Sequence, residues 1–153
     1  MARIDFYHLK KQGLENVLPK LLEKAYQTGK RIKVKVGNAE RVEFINSLLW
    51  TYDEESFLPH GSKKDGSTEK QPIFISAGDD NPNDSVFLFL VDGAEISTEE
   101  ASNFERVFNI FDGNSNDSLE KARGFWKTLQ PSSGELFYWQ QDANGTWVQK
   151  SKD

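Results

Sequence analysis

Residues 14–36 read LENVLPKLLEKAYQTGKRIKVKV, and this stretch decides the fold. Its first half spaces Leu14, Val17, Leu18, Leu21, Leu22 and Ala25 three and four positions apart, the apolar stripe of a helix over 14–28. Gly29 then supplies a helix stop. In the second half Ile32, Val34 and Val36 alternate with Lys33 and Lys35, which is the period of a strand. An aromatic, β-branched run at Ile4–His8 precedes the helix and reads as a first strand. Strand, helix and strand in that order point to a layered α/β domain with a mostly parallel sheet.

The pattern continues outward. Val42, Ile45, Leu48 and Leu49 give the inner stripe of a second helix over Ala39–Trp50. Residues 51–71 form the longest irregular part, and GSKKDGSTEK within it reads as polar and mobile. A short strand is expected at Ile73–Ser76, a turn at GDDNPND, and a continuously apolar strand at Val86–Val91 that is covered on both faces. Thr98–Phe104 reads as a short helix and Arg106–Phe111 as another strand. Asp117, with Glu120 three positions on, reads as a capping box opening a helix over Ser118–Leu129. Leu136–Gln141 is the final strand, with Trp147 packing in the tail.

The 153 residues suit one domain with a sizeable core. There is no cysteine, which excludes disulfides and thiolate metal sites, and with only His8 and His60 a histidine-rich metal centre is not expected. The net charge of −5 argues against broad binding to a nucleic-acid backbone. No apolar run reaches the length of a membrane span, and the opening MARIDFYHLKK has no signal-peptide core, so a cytoplasmic protein is expected. Phosphate-loop, dinucleotide-binding and nucleophile-elbow motifs are absent. Asp53, Glu54 and Glu55, and separately Asp79, Asp80 and Asp84, are acidic clusters that a Mg²⁺-dependent phosphohydrolase would need. Both lie in polar turns, where solvated carboxylates are ordinary, so no metal, cofactor or catalytic residue is expected.

Two constellations remain. In the first, Trp50, Tyr52, Phe57, Leu58 and Pro59 run from a helix end into an irregular segment. Loops run over the surface, so some of these aromatics should form a protein interface. In the second, Ala122-Arg-Gly-Phe-Trp-Lys127 brings Arg123, Trp126 and Lys127 to one helical face. Two cations flanking an indole suit an anionic peptide with an apolar tip. An amphipathic helix that buries Phe125, Trp126 and Leu129 and solvates the two cations is the competing reading, and spacing alone modestly favours it.

WTYDEESFLPHG, ARGFWK and FYWQQD followed by Trp147 resemble the chi subunit of bacterial DNA polymerase III. The opening FYHL, the long helix and GKRIKVKV are similar too, so the likeness covers the chain from Ile4 to Trp147. It implies a single three-layer Rossmann-like domain with helices on both faces of the sheet, over residues 1–148, and a short polar tail at 149–153. It also implies a non-catalytic subunit of a DNA-directed DNA polymerase complex. Such an adaptor joins the clamp loader to the C-terminal tail of single-stranded DNA-binding protein and meets DNA only indirectly. The tail-binding positions map onto Arg123, Trp126, Lys127 and Phe111. A second surface, for the psi subunit or another clamp-loader or helicase partner, maps onto Trp50, Phe57 and Pro59. A direct nucleic-acid-binding module is the alternative.

Overall fold

A computed structural model describes residues 3–10, 12–51, 59–129 and 135–150. Eight strands form one sheet in the order β3-β4-β2-β5-β6-β1-β7-β8. They are β1 (Arg3–Leu9), β2 (Ile32–Val36), β3 (His60–Gly61), β4 (Ile73–Ser76), β5 (Phe87–Val91), β6 (Arg106–Asp112), β7 (Glu135–Gln141) and β8 (Trp147–Lys150). All neighbours pair in parallel except β7 and β8, which form an antiparallel hairpin. The helices are α1 (Leu14–Tyr26), α2 (Val42–Thr51), α3 (Thr98–Ala101) and α4 (Asn116–Leu129). The class is therefore α/β with a mostly parallel sheet, as the pattern of residues 14–36 requires.

Side-chain alternation sorts the core into two clusters, because successive residues of a strand point to opposite faces. Tyr7 and Leu9, Phe87, Phe89 and Val91, and Phe108 and Ile110 join the buried residues of α1 and α2. Ile4 and Phe6, Leu88 and Leu90, and Val107 and Phe111 join Ala101 of α3 and Ala122 and Leu129 of α4. The central strand β5 is buried at all five positions, in keeping with its unbroken apolar run.

The polar pins are few and well partnered. Asp5 is 0% exposed. Its carboxylate accepts hydrogen bonds from Arg3 at 3.1 Å, Arg106 at 2.8 Å and the Trp139 indole N–H at 3.0 Å. Three strands of the sheet are tied at this one side chain. The Tyr7 hydroxyl lies on the same face, and its pKa is pushed up to about 12 by burial and then by the Asp5 charge. Lys33, 2% exposed, donates to Ser76 Oγ at 2.5 Å and to the Asp80 carbonyl and carboxylate at 2.5 and 3.2 Å. It also lies over the Phe74 ring. A buried ammonium must be matched by such acceptors, and this one organises the turn after β4.

Several boundaries differ from the sequence reading. GSKKDGSTEK does not form one irregular stretch. Ser62 and Asp65 form a reciprocal capping box over a 3₁₀ turn, Asn46 donates to Asp65 at 2.8 Å, and a second 3₁₀ turn follows at Thr68–Lys70. His60–Gly61 adds a short edge strand. The cap of α4 is Ser115, whose hydroxyl accepts from Ser118 N–H at 3.3 Å; Asp117 lies inside the first turn. Both residues are competent caps, and the Glu120 spacing that favoured Asp117 is coincidental. β8 takes in Gln149 and Lys150, which the sequence reading put in a polar tail.

Candidate functional site

The register of the sheet assembles one site from residues far apart in sequence. His8 of β1 pairs with Phe111 of β6 on one side and Gln140 of β7 on the other. Phe6 pairs with Tyr138, and Tyr138 pairs in turn with Lys150 of β8. With a period of two, these six side chains share one face. Helix α4 crosses that face over β6, and its flank and the residues of β1, β7 and β8 beyond it enclose a groove of about 590 Å³. Phe6, His8, Phe111, Tyr138 and Gln140 form the floor. Leu119, Ala122, Arg123, Trp126 and Lys127 form the wall, and Lys150 closes the far side.

All four residues expected at a peptide site, Arg123, Trp126, Lys127 and Phe111, line this groove. Helix α4 is amphipathic, as the burial reading describes, and its flank also lines the groove. Leu129 is buried and Phe125 and Trp126 are half-buried, while Arg123 and Lys127 are exposed. Trp126 packs its edge on Phe6 at 5.0 Å and lies 6.2 Å from Tyr138, so one ring anchors the helix and walls the groove. Phe111 is 8% exposed and tilts against His8 at 5.1 Å and Tyr138 at 6.1 Å.

Electrostatically the groove is the reverse of the whole chain. Arg123, Lys127 and Lys150 make no ion pair among the described residues, so their charge is available to an incoming anion. Burial lowers the pKa of His8, and Lys10 and Arg123 lower it further. Burial raises that of Tyr138, against a lowering contribution from Arg123. His8, Tyr138, Gln140 and Lys150 were not found from sequence; only the register places them beside α4.

The second candidate surface lies at the opposite edge of the sheet, beside β3. Trp50 is 51% exposed and Phe44, on the same helix, 45% exposed. Trp50 stacks at 4.2 Å on the buried His60, whose Nε2 meets the Asn46 carbonyl at 2.8 Å. Arg41 lies over Phe44 at 4.2 Å and is held by Asp92 at 3.0 Å. Pro59 is half-buried, and Phe57 lies outside the described residues. Phe44, an exposed aromatic that periodicity did not single out, belongs to this patch.

The acidic turn after β4 is a lysine-paired feature. Asp79 bonds Lys35, and Asp80 bonds Lys33 and faces Lys63 at 3.5 Å. Asp84 takes a left-handed backbone. No group of three or more potential metal ligands is found among the described residues, and Asp53, Glu54 and Glu55 lie outside them. No described helix is long and apolar enough to cross a membrane.

Comparison with known proteins places the chain in a family. A family model described as DNA polymerase III chi subunit, HolC, matches residues 1–136. A protein of Rickettsia prowazekii (strain Madrid E) named "Probable DNA polymerase III subunit chi" is 29% identical over 154 residues. The alignment takes in 96% of this chain and 91% of that protein. The family match ends at Leu136, so Tyr138, Gln140 and Lys150 stand beyond it.

Proposed function

Because the chain belongs to the DNA polymerase III chi-subunit family, we propose that it is a non-catalytic adaptor coupling the clamp loader to single-stranded DNA coated by its binding protein. The fold serves as a three-layer, Rossmann-like scaffold with helices on both faces of the sheet and a separate contact surface at each edge. The groove beside α4 receives the acidic C-terminal tail of single-stranded DNA-binding protein. The Trp50 edge receives the psi subunit or an equivalent clamp-loader or helicase partner. The protein meets DNA only through these partners.

The observation that carries this reading is the convergence of Arg123, Lys127 and Trp126 with Phe111 on one groove of an otherwise acidic chain. Arg123 would hold the terminal carboxylate by charge-assisted hydrogen bonds, contributing about 1.5–3 kcal/mol. An apolar last side chain would enter between Trp126 and Phe111 and contribute roughly as much again. Loss of translational and rotational freedom offsets much of this, so a dissociation constant of about micromolar order is expected. Added salt should weaken it.

Calorimetric titration with a short acidic peptide ending in a free aromatic carboxylate tests the assignment. Arg123→Ala should weaken binding about thirtyfold while the far-ultraviolet spectrum is unchanged. Wild-type affinity in that variant would refute the groove as the tail site.

A further inference from the structure

The groove floor contains hydrogen-bond chemistry that the cations and the apolar wall do not account for. His8 is 6% exposed, and its Nδ1 meets two neighbours. One is the Tyr138 hydroxyl; the other is Gln140 Nε2 at 3.2 Å. The amide nitrogen of Gln140 can only donate, so Nδ1 in this arrangement is the unprotonated nitrogen of a neutral ring. A neutral imidazole nitrogen has one lone pair. Two donors therefore converge on a single acceptor, and Gln140 also bonds the Tyr138 side chain, so the three groups form one network with more hydrogens to donate than ring nitrogens to accept them.

The ring cannot turn to relieve this. Nε2 of His8 is buried without a partner, and a Cβ on Gly113 would come within 1.9 Å of Nε2 and Cδ2. The imidazole is thus seated flush on the Gly113 backbone, with Nδ1 presented to the groove. A floor with surplus donors fits a ligand rich in acceptors. Arg123 lines the same groove as His8 and Tyr138, so an anion held there sits among all three.

We propose that Tyr138 is a ligand-binding donor of this groove, that His8 is the residue that positions it, and that peptide binding is coupled to uptake of a proton by His8. The inference rests on the tail-binding reading of the groove. The ligand group is the peptide's terminal carboxylate. When it binds beside Arg123, its charge offsets the cations that oppose protonation of His8. The proton enters at Nδ1, which then donates to the Tyr138 oxygen, and the Tyr138 hydrogen turns to the carboxylate. Gln140 swings away from a nitrogen that no longer accepts. The charged groups around His8 are Lys10 just after β1, Asp112 on β6, Arg123 and Lys127 on α4 and Lys150 on β8; of these only Asp112 would favour the proton in the free state.

Calorimetry with the acidic peptide tests this in three measurements. Wild-type binding near pH 6.5 should give enthalpies that differ between buffers of different ionisation heat, with net proton uptake. Affinity should rise about fivefold between pH 8 and pH 6, the direction that proton uptake on binding requires. Tyr138→Phe should cut the preference for the free-acid peptide over its C-terminal amide about tenfold, the loss of one hydrogen bond to a charged group. His8→Leu and His8→Gln should both remove the proton uptake and flatten the pH profile, and the second variant guards against a folding defect in the first. No proton uptake by the wild type, an undiminished free-acid preference in Tyr138→Phe, or a pH profile that survives both His8 variants each overturns the proposal. Arg123→Ala separates the two ideas. If it too binds normally, the tail-binding reading fails; if it alone loses binding, only the role given to His8 and Tyr138 fails.

Discussion

The two edges of the sheet present aromatic side chains in opposite ways. At the β7–β8 edge they form the floor and wall of a groove, and the cations around them have no ion-pair partners among the described residues. At the β3 edge Trp50 and Phe44 project from α2, and the nearby Arg41 is already stacked on Phe44 and bound by Asp92. The first arrangement offers enclosure and unspent charge, which suits the end of a single chain. The second offers raised apolar area with its charge satisfied, which suits a broad partner surface. A scaffold that keeps these surfaces at opposite ends of the strand order can hold two partners at once, and two modest contacts then reinforce one another through effective concentration.

The sharpest way to break this contrast is Trp126→Ala. The ring packs on Phe6, so the variant should lose about 2–3 kcal/mol of stability as well as peptide binding. Chemical denaturation with and without peptide checks both. Arg123→Ala comes next, with about 2 kcal/mol lost from peptide affinity and less than about 0.5 kcal/mol from stability. Trp50→Ala should leave peptide affinity unchanged and cost about 1–2 kcal/mol at the other edge, read by pull-down of the clamp-loader partner. Equal effects of the two variants on both ligands would mean that the surfaces are not independent. The smallest effect is on acid stability. Burial, Lys10 and Arg123 depress His8 in the folded protein, so the unfolded chain takes up a proton first as pH falls below about 6.5. Stability from this group is present above that pH and is lost on acidification. The melting temperature should therefore drop more between pH 7.5 and 5.5 in the wild type than in His8→Leu.

What was legible in sequence was local. The stripe of α1, the alternation of β2 and the helical spacing of Arg123, Trp126 and Lys127 each span less than four turns or one strand, and each stands where the pattern put it. The rest of the groove was not legible, because His8, Tyr138, Gln140 and Lys150 join Phe111 only through strand register, which no short window contains. The cap of α4 was misplaced for a related reason: Ser115 and Asp117 are equally good cap residues, and the path of the chain after β6 selects between them. Phe44 escaped notice because it falls off the apolar stripe of α2, where exposure rather than burial gives it meaning.

The hairpin joining β7 to β8 makes the charge of the groove depend on a count. Tyr138 faces Lys150 across the antiparallel pair, three residues along each strand from the pairing of Gln141 with Trp147. A strand turns its side chains over at every step, so one residue gained or lost in the 142–146 turn would move Lys150 to the far side and bring a neighbour such as Gln149 into its place. The pull of this groove on anions is thus set partly by the length of a surface turn, with every residue of α4 left untouched.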